Sequence, residues 1–164
     1  MKTLYLVRHA KSDWSDASLD DFDRPLNKRG RNNAPLMGRI LREKGVTPDL
    51  IVSSPALRTI TTAQLLAREI GYVQEKIVTD KQIYEASVKT LIKVISKQQA
   101  SRLALMLVGH NPGLTDFANH VSDFDADNVP TTGVVFIQFA MDDWRNLEST
   151  TGKVVFFHYP KEFT

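Results

Sequence analysis

Two uninterrupted apolar runs, Leu4-Tyr5-Leu6-Val7 and Leu103-Ala104-Leu105-Met106-Leu107-Val108, set the first constraint on the fold. Each has the length of a strand and shows no polar alternation, the pattern of strands covered on both faces. A sheet covered on both faces needs helices above and below it. The intervening stretches supply them. Ala34, Leu36, Met37, Ile40 and Leu41 recur at helical spacing, and Gly45 suits the residue just past a helix end. Pro35, near the start of that pattern, predicts a first turn that begins late or bends. Asp49 to Ser54 reads as the second strand, with Ser54 as N-cap and Pro55 as first residue of the helix that follows. Ala56, Ile60, Ala63, Leu66, Ala67 and Ile70 give that helix its apolar face, and Gly71 closes it. Lys76 to Thr79 reads as a short strand, and Ser87 caps a helix carrying Leu91, Ile92 and Ile95. Gly109-His110-Asn111-Pro112-Gly113 turns the chain into a helix with Leu114, Phe117, Ala118 and Val121 inward. Val134 to Phe139 and Val154 to Phe157 read as a final antiparallel pair at one sheet edge. The prediction is one domain over 1–164, a three-layer α/β/α sandwich with a mostly parallel central sheet.

Composition narrows the class of partner. The 21 Lys and Arg against 19 Asp and Glu leave a net charge of +2, which gives no argument for a nucleic-acid or membrane-surface partner. Cysteine is absent, which removes disulfides, thiolate metal sites and a thiol nucleophile. No apolar window approaches a membrane span, and the apolar run at the start meets Arg8 too soon for a signal peptide. The expectation is a cytosolic α/β domain.

In open α/β sheets ligands bind beyond the carboxyl ends of the strands. Arg8-His9 follows the first strand, and Ser53-Ser54-Pro55 follows the second and leads to Arg58. Tyr84-Glu85 follows the short strand, and His110-Asn111 follows the strand ending at Val108. Phosphoryl transfer asks for an in-line nucleophile, cationic donors around the equatorial oxygens, and an acid for the leaving atom. A neutral imidazole at His9 can attack phosphorus and later be released from it. Arg8 and Arg58 can each offer paired N–H donors to phosphate oxygens, and a protonated His110 adds a third cation. The helix after Pro112 is expected to aim its free N–H groups at the same point. Arg58 near a helix N-terminus is an unfavourable place for a cation, which itself hints at an anion nearby.

Leu6-Val7-Arg8-His9-Ala10, Ser53-Ser54-Pro55-Ala56-Leu57-Arg58-Thr59 with Thr62-Ala63 after it, and Val108-Gly109-His110-Asn111-Pro112 resemble the signatures of the histidine phosphatase superfamily, the phosphoglycerate mutase-like fold. Leu26-Asn27-Lys28-Arg29-Gly30 is similar to that family's Leu-Thr-x-x-Gly segment, with Asn for Thr. Arg8-His9-Ala10-Lys11-Ser12-Asp13-Trp14 and Asp23-Arg24-Pro25-Leu26 look like the small SixA-type phosphohistidine phosphatase branch. The resemblance implies that His9 is phosphorylated and that Arg8, Arg58 and His110 bind the phosphate. It also implies minimal lid insertions, since little chain separates Val78 from Leu103.

Other positions keep two readings. Glu85 is the expected general acid, because larger relatives place a Glu there; alone it reads as a solvated loop carboxylate, and Asp13 and Asp16 are the fallbacks. Lys11, Ser12 and Asn111 are expected phosphate contacts, against the alternatives of ordinary loop residues and, for Asn111, a helix cap. Arg24 is expected to pair with Asp20, Asp21 or Asp23, and Trp14 to line the site mouth or pin its loop. His120 and His158 read as structural, and no zinc-ligand or nucleotide-loop pattern calls for a metal or cofactor. The expected activity is hydrolysis of a phosphorylated small molecule or a phosphohistidine-bearing protein. A mutase using the same phosphohistidine and a non-catalytic phosphoprotein-binding module are the alternatives.

Overall fold

A computed structural model describes all 164 residues. The long apolar runs form the two central strands. β1 (Lys2–Arg8) and β4 (Ala104–Gly109) pair in parallel, with Leu4 opposite Leu105 and Arg8 opposite Gly109. β2 (Leu50–Ser53) continues the parallel sheet beyond β4, and the two-residue β3 (Val78–Thr79) ends it. On the other side β5 (Val134–Phe139) runs antiparallel to β1, and β6 (Lys153–His158) antiparallel to β5, giving the order β3-β2-β4-β1-β5-β6. The two final strands are thus the expected antiparallel pair at one edge.

Alternate residues of the central strands serve two separate cores. Tyr5, Val7, Ile51, Met106 and Val108 pack on α1 (Lys28–Glu43) and α2 (Leu57–Ile70) through Met37, Leu41, Ala63 and Leu66. Leu4, Leu6, Leu105 and Leu107 face the opposite way onto α3 (Val88–Ser96) and α4 (Gly113–Val121), with Trp144 and Leu147 extending that core. Period-two alternation in strands that look uniformly apolar produces the three layers. The fold is α/β of the predicted kind. No helix is long and apolar enough to cross a membrane.

The helix ends follow their local chemistry. Asn27 caps α1 by accepting from the Gly30 amide, Gly45 and Gly71 take left-handed conformations just past α1 and α2, and Ser87 caps α3. Two expectations change. Helix α1 starts at Lys28 and runs on through Pro35, which therefore lies inside it and leaves the Arg31 carbonyl without an i+4 N–H. α2 starts at Leu57 with Ala56 as N-cap, so Ser54 does not cap it; the Ser54 hydroxyl accepts from Ala56 N at 3.3 Å and serves a neighbour across the site.

Gly30 shows how the fold reaches the site. It lies against the backbone of Lys11, where an added Cβ would overlap the carbonyl oxygen that accepts from Asn27 N at 2.9 Å. Backbone on backbone leaves nothing flexible to yield. Gly30→Ala is expected to destabilise the protein by about 1–3 kcal/mol, the usual cost of overpacking. Urea unfolding measures this, and an unchanged midpoint would contradict the close approach.

Candidate active site

Arg8 and His9 leave β1 as His110 leaves the adjacent β4, and Arg58 rises from the first turn of α2. The parallel register makes the two histidines neighbours, with ring centroids 5.4 Å apart. All three of His9, Arg58 and His110 are buried. The Arg58 Nη2 donates to His110 Nδ1 at 3.3 Å. The structure thus brings these residues together in one basic cage.

Hydrogen bonds fix both tautomers. His9 Nδ1 lies 2.7 Å from the Ala10 carbonyl oxygen. A carbonyl only accepts, so Nδ1 carries the proton and Nε2 on the opposite ring edge keeps its lone pair. His110 Nδ1 faces a guanidinium, which only donates, so His110 carries its proton on Nε2 and donates it to the Ser54 hydroxyl at 2.8 Å. Thr59 Oγ1 lies 3.4 Å from the same nitrogen.

Each cation has a neutral holder. Arg8 Nη1 donates to the Val129 carbonyl at 3.0 Å, and its Nε is buried without a partner. Thr62 Oγ1 accepts from Ala10 N at 2.9 Å and donates to the Arg58 carbonyl at 2.7 Å, tying the nucleophile loop to the first turn of α2. The Thr132 amide is shared between the Arg8 and His9 carbonyls at 3.0 and 3.1 Å.

Arg58 also has a charged partner. Asp21, in the short turn Asp21–Asp23, accepts from Arg58 Nη1 through its carbonyl at 2.6 Å and from Nη2 through Oδ2 at 2.9 Å. The Tyr84 hydroxyl donates to the same Oδ2 at 2.6 Å, and the Tyr84 ring stands edge-on to His110 with centroids 5.3 Å apart. Of the three acidic residues expected as partners, Asp21 is the one that Arg24 meets, at 3.8 Å, and Arg24 stacks on the exposed Trp14 at 3.5 Å, so Trp14 covers Arg24.

The cage holds both imidazoles neutral. Burial pushes the His9 pKa down; the Ala10 carbonyl opposes this, Arg58 and Arg8 reinforce it, and the result is about 4. Burial, then the charges of His9 and Arg58, take His110 to about 3. A neutral His9 is the form whose Nε2 can act as a nucleophile.

Several expected contacts lie elsewhere. Asn111 uses its whole amide internally: Nδ2 donates to Asn128 Oδ1 and the Val129 carbonyl, and Oδ1 accepts from the Thr115 amide and hydroxyl. It therefore satisfies an amide in the first turn of α4, whose N-cap residue is Pro112, and anchors the carbonyl that holds Arg8, rather than presenting donors to a phosphate. The α4 start is likewise satisfied, with Leu114 N on the His110 carbonyl and Thr115 N on Asn111, so it does not aim a row of free donors at the cage. Lys11 is exposed and lines a separate cleft of about 670 Å³ with Arg29, Asn33 and Lys161. Ser12 is buried in a bridge to Leu26. Asp13 and Asp16 accept from Ser15 and Ser18 in exposed local turns. Glu85 is exposed at the rim beside Tyr84, has no hydrogen-bonded partner, and sits in the left-handed region at φ 52°. Tyr84 stands at a strand end and Thr59 within the Arg58 motif, but their contacts with Asp21 and His110, and the hold of Asp21 on Arg58, are not expected from the sequence. An aromatic beside Glu85 and a hydroxyl beside Arg58 were the available signals.

Two outcomes follow from this geometry. A bound anion opposes the effects that lower the imidazole pKa values, so sulfate, a phosphate-like anion that does not itself titrate near pH 6, is expected to be bound there with net proton uptake, with His110 Nδ1 as acceptor once Arg58 turns from it to the anion. In the protein by itself both pKa values are depressed, so the unfolded chain binds more protons between about pH 3 and 6.5; stability is full above that window and falls as pH drops through it. Titration calorimetry in buffers of differing ionisation enthalpy checks the uptake, and proton release would contradict it. Separately, Glu85→Gly removes the left-handed strain and is expected to stabilise the fold by about 1 kcal/mol. Loss of stability in thermal unfolding would show a Glu85 contact that outweighs the strain.

A family model described as histidine phosphatase superfamily (branch 1) matches residues 4–103. An uncharacterized chloroplastic protein of Arabidopsis thaliana is 30% identical over 159 residues, 92% of this chain and 72% of that protein. An uncharacterized protein of Mycobacterium tuberculosis is 30% identical over 94% of this chain and its own full length. Among solved structures, a candidate phosphohistidine phosphatase SixA from Agrobacterium tumefaciens superposes with TM-score 0.80 at 29% identity, covering 97% of this chain and 98% of that one. The protein histidine phosphatase SixA complexed with tungstate gives TM-score 0.84 over 99% of both chains; at 16% identity it speaks for the fold alone. The fold is thus the phosphoglycerate mutase-like one. The matched stretch takes in the strand that ends on Arg8 and the helix that begins beside Arg58, and by it the chain belongs to the histidine phosphatase superfamily, branch 1.

Proposed function

We propose that this protein is a metal-independent phosphatase that transfers a phosphoryl group from a phosphomonoester or a protein phosphohistidine to His9 and then to water. The observation that carries the reading is the fixed His9 tautomer: the Nδ1 proton is held by the Ala10 carbonyl at 2.7 Å, and the ring is neutral, so the Nε2 lone pair is available beside three basic side chains.

In the first half-reaction the Nε2 lone pair forms a bond to phosphorus while the bond to the leaving atom breaks and its electron pair departs with that atom. The Ala10 carbonyl stabilises the charge that His9 acquires. Arg8 and Arg58 balance charge on the equatorial oxygens, each donor contributing about 3 kcal/mol to such transition states. His110 adds a third positive group once the arriving anion draws the Arg58 guanidinium off Nδ1 and that nitrogen takes up a proton from solvent. In the second half-reaction a water oxygen bonds to phosphorus, the His9 N–P bond breaks with its electron pair returning to Nε2, and the water's protons leave with the phosphate or pass to solvent. Glu85 at the rim is the candidate donor to an ester oxygen. The connection from β3 to β4 contains only the turn Lys81–Ile83 and α3, a small cover that suits a phosphohistidine displayed on another protein.

Rapid quenching with labelled 4-nitrophenyl phosphate is expected to trap an acid-labile, base-stable label on His9. His9→Ala should lose that label and at least about ten-thousand-fold in kcat, the scale seen when a nucleophile is removed. Equal turnover by the two proteins would overturn the reading. Transfer of the label to a sugar acid instead of water would point to a mutase, and phosphate binding without turnover to a binding module.

A further inference from the structure

Among the charged groups at the cage, Asp21 alone reaches both the buried guanidinium and the surface. Its side chain is 38% exposed, against 8% for that of Arg58. His9 is buried and the Asp21 side chain is open to solvent, so the Asp21 side is taken as the mouth of the cage through which a leaving group departs. The carboxylate is only half engaged. Oδ2 accepts from Arg58 and Tyr84, whereas Oδ1 has just the long 3.8 Å approach of Arg24 Nε. An aromatic wall adjoins it: Phe22 is partly exposed and meets the Tyr84 ring edge-on at 5.3 Å, and Tyr84 meets His110 in the same way.

Such a group receives hydrogen bonds and gives none. Burial works to raise the Asp21 pKa, but the hydrogen bonds from Tyr84 and Arg58 and the nearby guanidinium charges outweigh it, and the net shift is downward. Burial and the bond to Asp21 raise Tyr84 to about 12, so the phenol keeps the proton it donates. At neutral pH the mouth therefore presents a carboxylate, not a carboxylic acid. An alkoxide or phenolate leaving there meets a negative charge and finds no proton on Asp21.

We propose that Asp21 determines the choice of leaving group: its carboxylate accepts a hydrogen bond from a leaving group that brings its own proton, which selects N-phosphorylated imidazoles over phosphate esters. This rests on the phosphatase reading with His9 as nucleophile. The substrate enters as a phosphoimidazole protonated on its distal nitrogen. His9 Nε2 forms the new N–P bond, the substrate's N–P bond breaks, and its electron pair stays on the leaving nitrogen. The distal proton remains where it was, hydrogen bonded to Asp21, and neutral imidazole departs. No proton moves in this step, so no separate general acid is required. The planar ring suits the Phe22–Tyr84 wall.

The test compares kcat/KM for phosphoimidazole and for 4-nitrophenyl phosphate in wild type, Asp21→Asn and Asp21→Glu, with folding checked by thermal unfolding. Asn matches the carboxylate in shape and can still accept from Arg58, but it lacks the charge. The ratio of phosphoimidazole to ester turnover is expected to fall at least about tenfold in Asp21→Asn, the scale of one charge-assisted hydrogen bond, and to recover towards wild type in Asp21→Glu. Parallel losses on both substrates would overturn the proposal and leave Asp21 as an anchor for Arg58. An unchanged or increased ratio would also overturn it. Wild-type turnover of neither substrate would bring down the phosphatase reading itself, a different outcome from parallel losses.

Discussion

The register of one pair of strands sets the site. With Arg8 opposite Gly109 in the parallel ladder, and the His9 amide on the Gly109 carbonyl at 3.1 Å, the residues that follow the two strands must emerge side by side. That register is locked from both faces. Moving β1 by one residue would send Leu4 and Leu6 into the space of Tyr5 and Val7, and each core is shaped for its own set. The hydrophobic sandwich thereby fixes the spacing of two imidazoles that belong to neither core.

Around that pair the molecule gathers positive charge and restrains it mainly with neutral groups. The Val129 carbonyl holds Arg8, the Ser54 hydroxyl holds His110, and Thr62 ties the backbones of Ala10 and Arg58. Carbonyls and hydroxyls fix a cation without cancelling its field, which is what preorganised stabilisation of an anionic transition state requires. Asp21 is the exception, and it stands at the mouth. Burial and accumulated charge together explain why both histidines stay neutral until an anion arrives.

Much of this was legible in the sequence where one residue type has one physical use. Uniformly apolar runs gave the central strands, Gly45 and Gly71 gave helix ends, and a basic residue at a strand end or first helical turn gave Arg8, Arg58 and the two histidines. Legibility failed where a polar side chain has several uses and the tertiary fold chooses among them. Ser54 reads as an N-cap, but α2 begins later and leaves its hydroxyl for His110. Asn111 reads as a phosphate donor or a cap, and only the position of Val129 decides that its Nδ2 is not free for a phosphate. Lys11 and Ser12 follow the nucleophile in sequence, yet the chain turns there to pair Ser12 with Leu26, and Lys11 faces another cleft. Of Asp20, Asp21 and Asp23, nothing in the sequence distinguishes the one that meets Arg58, because that contact spans 37 residues. Pro35 misleads for a different reason: the packing of α1 through Met37 and Leu41 outweighs one lost helical hydrogen bond.

The four-fold use of the Asn111 amide also bears on how the protein ages. A carboxylate at this position could not donate to the Val129 carbonyl, so deamidation would loosen the anchor of Arg8. Asparagine ordinarily deamidates when the backbone nitrogen of the next residue attacks the side-chain carbonyl and closes a succinimide ring. Here that nitrogen belongs to Pro112, which has no N–H to lose in the cyclisation. The side chain on which the arginine's placement depends is thus shielded from that route of chemical decay by the residue that follows it.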